Sequence, residues 1–110
     1  MMNRISKKGV NTIRNLATNQ AALAPSCAYI RNFKMAVFEI AKDYSRAFST
    51  DSSWLDMTKK QAWAFCCWMQ ETGDQRTDDA TIERFMKYLR GLVLDKMQQY
   101  LKDVEIIDKV

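Results

Sequence analysis

The 110-residue chain contains no histidine, one proline and three glycines, and no aspartate or glutamate occurs before Glu39. Each absence excludes something. Without histidine, the commonest general acid–base group and the commonest metal ligand are both missing. Three isolated glycines cannot build a phosphate-cradling loop or a dinucleotide fingerprint, and no serine stands in a G-x-S-x-G turn. The expectation is a non-enzymatic protein without a cofactor. Scarce glycine and proline also argue against turn-rich β architecture, because the periodic stretches are filled by Ala, Met, Leu, Lys, Arg and Gln, which favour helix.

No apolar run approaches the roughly 20 residues that cross a bilayer, so no membrane contact is expected. Cys27, Cys66 and Cys67 are an odd number with no signal peptide ahead of them, which points to reduced thiols in the cytoplasm. No two of them have the spacing of a metal knuckle, so no metal site is expected. Adjacent Cys66 and Cys67 in an apolar segment are expected to have raised thiol pKa values and to pack as small hydrophobes.

What is present is an ordinary globular composition, 47% apolar and 27% charged, enough for one core and one helical domain over residues 1–110. The pattern predicts an all-α fold, a compact four-helix bundle-like domain. A first helix over residues 3–23 places Ile5, Val10, Ile13, Leu16, Ala17 and Ala21 on one arc. Pro25 is expected to end it and Ser26 to cap the next. That second helix, residues 27–48, carries Ile30, Phe33, Val37, Ile40, Ala41, Tyr44 and Phe48 at three- and four-residue steps. Residues 49–57 read as a polar loop pinned by Trp54 and Leu55.

A third helix is expected from Thr58, with Gln61 completing a capping box, to a stop at Gly73. It contains AWAFCCWM, residues 62–69, eight residues without a charged or amide side chain. A helix apolar all round is normally surrounded by protein, so this one should lie at the centre of the bundle. Its alternative is coverage of one side by a partner, since aromatic and Met side chains also suit interface cores. The fourth and longest helix is expected from Asp78 or Asp79 to about Asp103, with Ile82, Phe85, Met86, Leu89, Leu92, Val93, Met97, Tyr100 and Val104 inward and Glu83–Lys87 paired outside. Its end and the tail bearing Ile106, Ile107 and Val110 could wrap back or serve a second subunit.

Charge is the one feature above background. Through Arg46 the chain carries eight basic and two acidic residues, a net +6, and thereafter a net −2. Arg4, Lys7, Lys8, Asn11, Arg14 and Asn15 fall on the polar arc of the first helix, and Arg31 and Lys34 follow in the same acid-free segment. Cations interspersed with amides suit phosphates, base edges or an acidic protein surface. These eight residues are the expected partner-binding set. The partner expected is a larger protein or nucleoprotein complex, one that handles nucleic acid and is regulated or inhibited by docking. Direct DNA or RNA binding and self-association into a homodimer are the alternatives. The segment around residues 59–89 does not read as a helix-turn-helix, because its TGDQRTDD turn has no small apolar packing residue and a long helix follows. Small size, no catalytic apparatus and segregated charge give the chain a general resemblance to small accessory or inhibitory proteins, such as phages and plasmids encode.

Overall fold

The computed structural model describes the backbone of residues 7–46 and 53–109, and the side chains of residues 7–44 and 58–99. The fold is all-α and bundle-like, as the sequence predicts, but it is built from five helices: α1 Lys7–Ala17, α2 Gln20–Cys27, α3 Phe33–Arg46, α4 Ser53–Thr72 and α5 Asp79–Lys109. The fifth arises because the predicted first helix is broken at Thr18 and Asn19. Asn19 takes φ −116° and ψ 61°, and the Thr18 hydroxyl donates to the Asn15 carbonyl. Such short polar side chains compete with the helical ladder. Burial supplies the other reason. Val10, Ile13 and Ala17 are buried on α1, and Leu23 and Cys27 on α2. A continuous helix would carry the second pair roughly 90° away from the first three, and the break turns both sets into the core.

Pro25 does not end a helix; it lies inside α2. The Ala28 amide still donates to Ala24 at 2.9 Å beyond it. Pro25 and Ala21 are both exposed, so water can serve the Ala21 carbonyl that proline leaves without a donor. Ser26 is therefore not a cap. That role falls to Asn32, whose Oδ1 accepts from the Met35 amide at 2.8 Å, and to Glu71 of α4, whose carboxylate accepts from the Phe33 amide at 2.7 Å. An acidic group at this end also opposes the positive pole of α3.

The predicted capping box at Thr58 is not formed, because α4 starts at Ser53 and takes in half of the predicted loop. The side chains of Trp54 and Leu55 lie outside the described residues. The stop at Gly73 is as predicted. Its φ of +78° suits glycine, and its amide donates to Met69 at 2.8 Å. Asp78 caps α5 by accepting from the Thr81 hydroxyl at 2.6 Å and the Thr81 amide at 3.3 Å. α5 runs to Lys109, past the predicted end. At 1.5 Å per residue it is about 46 Å long, which matches the 47 Å long axis of the molecule.

α4, the predicted central helix, packs against α1, α2 and α3 through its backbone neighbours and meets α5 through aromatic rings. Ala62, Ala64, Phe65, Cys66 and Cys67 are buried. Phe65 and Trp68 of α4 contact Phe85 of α5 at ring-centre distances of 5.0 and 5.2 Å, and Phe33 of α3 joins Phe85 at 5.9 Å. Trp63 and Trp68 are half-buried against this core. The Lys60 ammonium of α4 reaches Asp43 of α3 at 2.7 Å. Burial alone would lower its pKa, but the Asp43 carboxylate beside it raises the value above that of an ordinary lysine. No described helix is long and apolar enough to cross a membrane.

Candidate binding face

The polar arc of α1 is held in place from below by Val10, Ile13 and Ala17 and from the side by Arg14. The Arg14 Nε donates to the Thr77 carbonyl at 2.8 Å, Nη1 donates to the Asn11 side-chain oxygen at 2.7 Å, and Nη2 pairs with the Asp79 carboxylate. Arg14 thus ties α1 to the connection before α5. It does not stand free to meet a partner, because all three guanidinium nitrogens are engaged. Sequence reasoning misses this pairing, since Arg14 and Asp79 are separated by 65 positions.

Lys7 and Lys8 occupy the first turn of α1 and are exposed, and neither forms an ion pair among the described residues. Asn11 and Asn15 are exposed on the same arc, Asn11 with its oxygen turned toward Arg14. Arg31 lies in the connection between α2 and α3, and Lys34 in the first turn of α3; both are exposed without an ion pair among the described residues. α3 packs on α4 and α5, whereas α1 packs on α2, α4 and α5. The described members of the expected set therefore divide into an α1 group, Lys7, Lys8, Asn11, Arg14 and Asn15, and a separate pair, Arg31 and Lys34, on other elements. Arg4 lies outside the described residues.

The first acidic residues of the chain serve α3 and α4 internally. Glu39 and Asp43 surround Lys60, and Glu39 also accepts from Lys42 at 3.2 Å. The acids nearest the connection before α5 are likewise committed: Asp74 bonds Arg76, and Asp78 bonds Thr81. Hydrogen bonding from Arg76 holds the Asp74 carboxyl down at about 2.

A shallow groove of about 310 Å³ opens beside α4, lined by Gln20, Trp63, Cys66, Cys67, Met69, Gln70 and Gln75. Its two thiols are not activated nucleophiles. Burial raises Cys66, whose Sγ lies 3.4 Å from the Ala17 carbonyl, and burial pushes Cys67 up to about 11. No group of three His, Cys, Asp or Glu among the described residues is placed to hold a metal ion.

Charge and motif patterns in the sequence do not single out the outer face of α5. Tyr88 and Leu94 are exposed on it, and the expected Glu83–Lys87 ion pair is not formed, consistent with the small energy of such pairs in water. The available signal was Gly91, a glycine in the middle of a strongly periodic helix. No family model, curated protein or solved structure matches the chain.

Proposed function

We propose that the chain is a non-enzymatic binding protein that docks the basic face of α1 on a larger, nucleic-acid-handling partner and thereby regulates or inhibits it. The observation that carries this reading is the contrast within one arc: Arg14 is spent on bracing the helix, while Lys7 and Lys8 project without an internal counter-charge among the described residues. A braced helix presenting exposed cations offers an acidic surface its charges at little ordering cost. Capture from native lysate after nuclease digestion tests it. A protein that stays bound after digestion and is released by salt supports the proposal, and loss of every captured protein once the nucleic acid is digested removes it.

A second reading places DNA or RNA directly on this face, favoured by the exposed amides of Asn11 and Asn15 beside the lysines. Contact with four or five phosphates would give a log–log salt slope of about −4. A flat titration excludes it.

A further inference from the structure

Gly91 lies mid-helix on an exposed part of α5, and a Cβ placed on it would meet nothing within 4 Å. Glycine at such a position weakens a helix relative to alanine, and no neighbour within the described chain requires it. At 100° per residue, Gly91 sits opposite the buried stripe Ile82, Phe85, Leu89 and Val93. Lys87 and Asp95 stand four residues to either side, and Tyr88 and Leu94 three to either side. Leu94 is 47% exposed, and Tyr88 is 52% exposed with one side of its ring stacked on Phe33 of α3 at 6.0 Å. Lys87 and Asp95 have no ion pair among the described residues.

We propose that this face binds a second copy of the chain, with the two α5 helices crossing antiparallel on a two-fold axis at Gly91. The surface is self-complementary only in that orientation. Rotation about residue 91 sets Lys87 against Asp95 of the second copy, and Asp95 against its Lys87. Tyr88 meets Leu94 of the second copy, and the converse contact repeats on the other side of the axis. Glycine at the crossing lets the two backbones approach closely. A parallel arrangement would oppose Lys87 to Lys87 and Asp95 to Asp95, so charge selects the antiparallel one. One helix face per subunit falls below about 1,200 Å² of buried surface, which gives a weak dimer that dissociates on dilution. This inference stands apart from the proposal for α1, which lies on a different face.

Sedimentation equilibrium of the full chain, from micromolar to near-millimolar concentration, tests it. The expected result is a monomer–dimer equilibrium. Lys87→Glu and Asp95→Lys each oppose like charges across the axis and are expected to weaken the dimer about tenfold, and the double variant to restore it. Gly91→Arg is expected to abolish it, with circular dichroism showing unchanged helix content in every variant. A strict monomer at all concentrations, or a dimer indifferent to the single reversals, or a double variant that does not recover, overturns the proposal.

Discussion

The indole N–H of Trp63 donates to the main-chain carbonyl of Ile30 at 2.8 Å, fastening α4 to the connection between α2 and α3. Trp63→Phe keeps much of the apolar contact but leaves this carbonyl without its donor, and is expected to cost about 1 to 2 kcal/mol. Trp63→Ala also loses the packing and is expected to cost about 3 kcal/mol. Urea unfolding measures both; equal losses for the two variants would show that the hydrogen bond contributes everything and the ring nothing.

Arg14 and its neighbours on the same arc should respond differently to truncation. Arg14→Ala removes the bonds to Thr77 and Asp79, and about 1 to 2 kcal/mol of destabilisation is expected, discounted for the partial exposure of the pair. Lys7→Ala and Lys8→Ala are expected to change stability by less than about 0.5 kcal/mol. A double-mutant cycle of Arg14→Ala with Asp79→Ala isolates the pair, and simple additivity would contradict the brace.

Acid should act through the connection between α4 and α5. Hydrogen bonds from Arg76 hold Asp74 at about 2, and those from Thr81 lower Asp78 as well. A carboxyl depressed in the folded state contributes stability that is present above its unfolded value, about 3.9, and is lost as pH falls through the folded value. The melting temperature should therefore drop between about pH 4 and pH 2. Asp74→Asn and Asp78→Asn proteins should start lower and fall less over that window, and an unaltered pH profile in both would refute the assignment.

Thiol chemistry offers an independent check on the centre of the bundle. With Cys67 at about 11 and Cys66 raised by burial, almost no thiolate exists at neutral pH, and the nucleophile in thiol modification is the thiolate. Reaction of the folded protein with an aromatic disulfide reagent at about pH 7.5, far below the Cys67 value of about 11, should be slow for both and become rapid in denaturant. Immediate labelling of either residue in the folded protein would place it outside the packed interior.

Helical class, the buried stripes of α3 and α5 and the apolar segment of α4 were legible in the sequence, because burial on a helix repeats at three- and four-residue steps. Gly73 and Asp78 were legible for a local reason, since each acts on backbone within a turn of itself. The break at Asn19 and the continuation of α2 through Pro25 were not, because both depend on where Leu23 and Cys27 must point once α4 is in place. Asn32 as the cap of α3 was hidden in the same way: half of that cap comes from Glu71, on another helix. In the candidate face, Lys7 and Lys8 could be read from composition and phase. The diversion of Arg14 to Asp79 could not, because only the tertiary fold brings α1 beside the start of α5.

The central claim is that the cations at the start of α1 serve a partner and not the fold. Its most direct test is the Lys7→Glu, Lys8→Glu double variant, compared with the parent chain for partner retention from nuclease-treated lysate and for thermal stability. The expected result is loss of the retained partner with stability unchanged to within about 1 kcal/mol. Undiminished retention by the charge-reversed protein, folded to the same helix content, would contradict the account.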